Sequence, residues 1–112
     1  MIDSGSINFS KNWNGKLEGI AFTTLRLYNP ERYAVGNIHQ ILLKKIDGWV
    51  TDFGRARIVD ARKIFGADLN IFICLLDTGY GVEDTKKILS RMYNGKDIDK
   101  QAFSYVLYKY ER

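Results

Sequence analysis

The sequence predicts an α+β fold, a mixed sheet curled into a β-barrel with short helices flanking it, and three observations carry that prediction. Two β-rich runs, Ile38 to Ile46 and Trp49 to Val59, are joined by Asp47-Gly48, a dipeptide that tolerates positive φ and marks a two-residue hairpin. Apolar residues then recur at helical spacing between Leu69 and Met92. Finally, Phe103, Tyr105 and Leu107 alternate with Ser104, Val106 and Tyr108, a β pattern that closes the sheet. Strands first, helices inserted and a strand last is an α+β order.

The totals are consistent with that order. A chain of 112 residues suits one domain, and a 46% hydrophobic share that includes Trp13, Trp49, seven Tyr and six Phe supplies its core. No linker, repeat or low-complexity block divides it, and the one proline, Pro30, falls in a polar turn. Seventeen Lys and Arg against 13 acids give a formal charge of +4, which favours anionic partners. Cys74 is the only cysteine, so no internal disulfide forms and a reducing cytoplasm is expected, with the chain as a monomer. Met1 to Ile7 has no basic n-region or apolar h-region, and no apolar stretch approaches the ~20 residues of a membrane helix, so no membrane is expected.

Taken in order, Ile7-Asn-Phe-Ser10 opens as a short strand. Ser10 or Asn12 then caps a brief helix that carries Trp13 and Leu17 inward until Gly19 stops it. Gly19 to Leu27 follows as a strand whose alternation puts Thr24 and Arg26 on one face and Thr23 with Leu25 on the other. Tyr28 to Asn37 reads as a turn with one helical loop at Pro30-Glu-Arg-Tyr33. Gly54, inside the second β run, marks either a bulge or a close packing point, as sheets curving into barrels require. Leu69, Phe72, Ile73 and Leu76 recur at i, i+3, i+4 and i+7, which favours a short helix capped by Asp68 over the competing reading, a buried strand. A second carries Val82, Ile88, Leu89 and Met92, with Glu83 and Asp84 early and Lys87 and Arg91 late, as the macrodipole favours, and Asn94-Gly95 ends it.

Three constellations carry chemistry. Thr23, Thr24 and Arg26 set hydroxyls and a planar guanidinium in an apolar strand, a combination suited to a phosphate or a base edge. In Leu75-Leu-Asp-Thr-Gly-Tyr-Gly81, amides near Gly79 are placed to hold an anion while Asp77 or Tyr80 selects what is attached to it; the alternative is a plain helix start capped by Asp77 or Thr78. Trp49, Thr51, Phe53, Arg55 and Arg57 share a strand face as a stacking surface, unless a register change at Gly54 separates them. Lys44, Arg55 and Arg57 serve as secondary phosphate contacts. His39 stands without a Cys or His cluster, so no metal is expected, and Gly79-x-Gly81 completes neither a dinucleotide fingerprint nor a P-loop, so no cofactor is expected.

The stretch Gly19-Ile-Ala-Phe-Thr-Thr-Leu-Arg-Leu27, with the turn signals downstream of it, resembles the ASCH family of the PUA-like superfamily over most of the chain, from about Ile7 onward. The resemblance implies a compact barrel with flanking helices that binds RNA or a nucleoside-containing ligand in a cationic cleft between the Thr24/Arg26 strand and the Asp77–Tyr80 loop. Relatives carry a Gly-x-Lys-x-Thr-x-Arg-like pattern that matches Thr24 and Arg26 but puts Ala21 at the lysine position. In those similar to N4-acetylcytidine amidohydrolases, a lysine, a threonine and an acid form the catalytic group. That alternative assigns Thr24 and Asp77 as catalytic and requires Lys16 or Lys44 to supply the missing amine. A third alternative is a non-catalytic regulator whose cleft is filled by Tyr or Phe. Leu-Leu-Asp-Thr-Gly79 also resembles the active-site tripeptide of retroviral-type aspartic proteases, without their glycine-rich flap.

Overall fold

The structure is a computed structural model and describes residues 5–94 and 97–112. Five strands form one mixed sheet: β1 (Ser6–Phe9), β2 (Ala21–Leu27), β3 (Ile38–Lys44), β4 (Val50–Phe65) and β5 (Ala102–Tyr110), in the order β1-β3-β4-β5-β2. Only β1 and β3 run parallel. Two helices, α1 (Ile71–Asp77) and α2 (Val82–Met92), sit between β4 and β5 in sequence.

The sheet curls because β4 is long and twice irregular. Its first half pairs with β3 and its second with β5, and the register slips once opposite Ile41/Leu42 and again between Ile58 and Asp60. Gly54 sits at the first slip with φ +97, so the bulge expected there is present. The sequence pattern ends this strand at Val59 because Val59 is the extra residue of the second bulge; beyond it the alternation resumes out of phase through Asp60, Arg62 and Lys63 as far as Phe65.

The two edge strands, β1 and β2, face each other across the opening of this half-barrel and are joined by side chains. Arg26 Nη2 donates to the Asn8 carbonyl at 3.1 Å, and the Phe9 and Phe22 rings meet edge to face at 5.8 Å. Inside lies a core built around Ile7, Leu17, Phe22, Ile41, Ile58 and Tyr108. A second cluster of Leu25, Leu69, Cys74, Leu89 and Phe103 packs the helices on the outer side of the sheet. Thus β2 contributes Phe22 to one core and Leu25 to the other.

Several local expectations need correction. Asp47-Gly48 is part of a three-residue loop: Gly48 N–H donates to Lys45 O, Lys45 N–H donates to Trp49 O, and Gly48 takes the left-handed position at φ +87. Asn70, not Asp68, caps α1 by accepting from Ile73 N–H, while Gly66–Asp68 forms a separate 3-10 turn. The rotation of α1 also differs, since Phe72 and Leu76 are exposed and Cys74 and Asp77 are buried. Trp13 heads a 3-10 segment, Trp13–Glu18, broken by left-handed Asn14 and Gly15; Leu17 points inward, but Trp13 is only partly buried. The C-terminal strand expected to close the sheet is present as β5, and it does so from an interior place between β4 and β2. Helix α2 has the expected bounds; of its expected stop, Asn94 is left-handed at φ 53 and Gly95 lies outside the described residues.

Candidate functional site

The seam between β1 and β2 widens beneath α2 into a cavity of about 230 Å³. Phe9, Trp13, Ile88 and Met92 give it apolar walls, and Lys16, Thr24, Arg26, Lys44 and Asp77 bring polar groups to it. Its rings form walls and leave the space open.

Asp77 occupies the least favourable position for its charge among these groups. It is the last residue of α1, where the helix dipole disfavours an acid, and it is 4% exposed. Lys16 offsets both costs: its Nζ donates to Asp77 Oδ1 at 2.9 Å, and both side chains are 6% exposed. Thr23 Oγ1 donates to the same oxygen at 3.2 Å. Asp77 Oδ2 receives no hydrogen bond among the described residues and is the open acceptor of the pair. Burial lowers the Lys16 amine below its ordinary value; Asp77 pulls in the opposite direction and is outweighed, while Arg26 adds a smaller depression.

Thr24 and Arg26 form a second unit on the inner face of β2. Arg26 Nε donates to Thr24 Oγ1 at 3.1 Å, so Thr24 acts as an acceptor there and keeps its own O–H to offer to the cavity. The guanidinium lies over the Phe9 ring at 4.6 Å, and Lys16 Nζ approaches the same ring at 5.5 Å. One phenyl ring thereby contacts two cations at the margin of the sheet.

A buried hydroxyl network fixes the α1–α2 turn. Thr78 Oγ1 donates to Cys74 O at 2.9 Å, lies 2.8 Å from Thr85 Oγ1 and accepts from Tyr80 N–H at 3.2 Å. Gly79 N–H is engaged by the Cys74 and Leu75 carbonyls, and Gly79 packs against Asn14. Its amide therefore closes the helix end, and Gly79 and Tyr80 lie behind the cavity wall. Tyr80 meets the edge of Trp13 at 6.3 Å, and Lys11 Nζ stands 4.6 Å from the Trp13 ring, so the two brace a ring that does line the cavity.

Of the residues singled out in the sequence, Lys16, Thr24, Arg26, Asp77 and Lys44 line the cavity, and Thr23 reaches it through Asp77. Arg55 and Arg57 do not; Arg57 bonds to Glu111 and the Gly36 carbonyl on another part of the sheet. Trp49 is 70% exposed at the hairpin and Phe53 packs on the barrel core, so the proposed stacking face is divided. The Asp of Leu-Leu-Asp-Thr-Gly is buried against a lysine rather than presented to a second aspartate, which removes the protease geometry. Phe9 and Trp13 were not legible as cavity residues, because aromatic residues near a short strand and a helix start read as ordinary core. Among the described residues no group of His, Cys, Asp and Glu is placed to hold a metal ion, and no helix is long and apolar enough to cross a membrane. No protein-family model, curated protein or solved structure matches the chain.

Proposed function

We propose that this chain binds one nucleotide of single-stranded RNA, or a smaller nucleoside-containing ligand, in the seam cavity, as the resemblance to ASCH domains of the PUA-like class leads one to expect. One observation carries the reading: an open carboxylate oxygen, a hydroxyl donor and three cations, Lys16, Arg26 and Lys44, converge on one small cavity walled by Phe9 and Trp13. Its volume, below the usual ~300–1,000 Å³ of drug-sized ligand sites, suits a single base. Asp77 Oδ2 accepts from an exocyclic amine, Thr24 donates to a ring nitrogen or carbonyl, Trp13 stacks and Arg26 meets phosphate.

The test is titration of labelled single-stranded RNA at several salt concentrations. Affinity is expected to fall with a log–log slope of about −0.7 per phosphate contacted, and Arg26→Ala is expected to weaken binding and flatten the slope. Binding that is indifferent to salt and to Arg26→Ala overturns the reading.

The Lys16–Asp77 pair favours a second reading, amide cleavage on an acylated nucleoside. Lys16 supplies, from a different segment, the amine absent at Ala21, and its depressed pKa enlarges the neutral fraction able to take the Thr24 proton. Incubation with N4-acetylcytidine is then expected to release cytidine, faster as pH rises, and both Thr24→Ala and Lys16→Met abolish it. No cytidine at high protein concentration removes this reading for that substrate.

A further inference from the structure

We infer that the site spans two consecutive nucleotides with Arg26 at the phosphate between them, an inference that rests on the RNA reading above. A second hollow of about 310 Å³ adjoins the first across Arg26, which belongs to the walls of both. Tyr28, Asn29 and Tyr93 border it. Two base-sized spaces divided by a guanidinium correspond to a dinucleotide step, in which one phosphate separates two bases.

The donors of Arg26 fit that position. Nε is engaged by Thr24 and Nη2 by the Asn8 carbonyl, which fixes the plane of the group. Nη1 makes no hydrogen bond among the described residues and is the donor left for a phosphate oxygen. In the second hollow the Tyr93 hydroxyl donates to Leu25 O at 3.4 Å, which holds its ring against the strand. Tyr28 is 42% exposed, with Lys63 Nζ 4.8 Å from its ring. Asn29 accepts from Arg32 N–H through Oδ1, leaving its amide N–H₂ toward a base edge.

The outer margin of β2, where Leu25 O already accepts from the Tyr93 hydroxyl, links the two spaces. All of β2 pairs with β5, but the bonds from Tyr28 N–H to Ala102 O and from Tyr110 N–H to Ile20 O at its two ends put the backbone hydrogen bonds at even-numbered residues, so Leu25 and Leu27 turn their backbone groups away from β5. Leu25 lines the first hollow and Leu27 the second. At ~3.4 Å per residue they stand about 7 Å apart, room for one nucleotide of an extended strand.

The experiment compares the four nucleoside 3′-monophosphates with the matching homodinucleotides, by calorimetry and by backbone chemical-shift perturbation. The best dinucleotide is expected to bind at least about fivefold more tightly than its monophosphate, the low end of one added stack. It is also expected to shift Leu27, Tyr28 and Asn29 signals that the monophosphate leaves in place, and Tyr28→Ala is expected to bring dinucleotide affinity down to the monophosphate level. A monophosphate that binds at the seam, with a dinucleotide that binds no better and leaves the second hollow unshifted, overturns the two-nucleotide site and leaves the single-nucleotide reading standing. Absence of binding by every probe overturns both.

Discussion

At Phe22, β2 enters the apolar core: its ring stacks on Tyr108 at 5.3 Å and meets Phe9 edge to face, in a cluster that also holds Leu17 and Ile58. A few residues on, the same strand meets a hydroxyl, a guanidinium, a buried amine and a carboxylate at Thr23 to Arg26. Phe22 and Thr24 are buried while Thr23 and Arg26 are half-buried, and the two regions differ in what closes the space across from them. At Phe22 the two margins of the sheet approach through aromatic contact and exclude water. Beyond it the margins part, and polar groups are tolerated because each satisfies another, with a few donors and acceptors left over. A ligand site is what such leftovers allow, and their cost is borne by the aromatic half of the strand.

The comparison can be broken most severely at Lys16. Lys16→Met strands a buried carboxylate and is expected to cost about 3–5 kcal/mol in urea denaturation, whereas pairing it with Asp77→Leu returns most of that stability while RNA binding stays lost. A single variant as stable as the parent shows that the pair is solvated and that the seam is not a low-dielectric site. Gly54→Ala acts on the curl that brings the margins together. Nothing lies within 4 Å of the added carbon, so the expected loss of about 1–2 kcal/mol comes from the left-handed backbone alone.

A smaller effect sharpens the aromatic side. Tyr110 donates to Leu17 O at 2.7 Å, and burial pushes its hydroxyl up to about 12. Because the folded value is raised, its contribution is complete below the ordinary tyrosine value near 10 and fades as pH climbs toward 12. Tyr110→Phe is expected to cost about 0.5–1.5 kcal/mol at neutral pH and to flatten the alkaline limb of the stability profile. An unchanged limb assigns alkaline unfolding to other groups.

Much of this was legible in the sequence because it is local. Alternation marked β2 and β5, helical spacing marked α2, and Gly54 marked a bulge through its freedom at positive φ. Asp77, Thr24 and Arg26 stood out as polar residues in apolar surroundings. What stayed hidden depends on pairings far apart in the chain. Lys16 was one of two lysines, with Lys44, that could supply the missing amine, and nothing local chose between them; a left-handed kink at Asn14 and Gly15 aims Lys16 at a helix end formed much later. The rotation of α1 escaped because an apolar stripe of Leu69, Phe72 and Leu76 looks like core, although Phe72 and Leu76 face outward in the structure.

The interior place of β5 bears on how the protein is made. β2 is hydrogen-bonded in the sheet only to Ala102–Tyr110, so a nascent chain halted on the ribosome before residue 102 holds the Thr24 and Arg26 segment with nothing to zip onto. Folding must wait for that late pairing, a slow, long-range closure. Truncation ahead of Ala102 therefore removes far more than one strand, because it releases both β2 and the second half of β4.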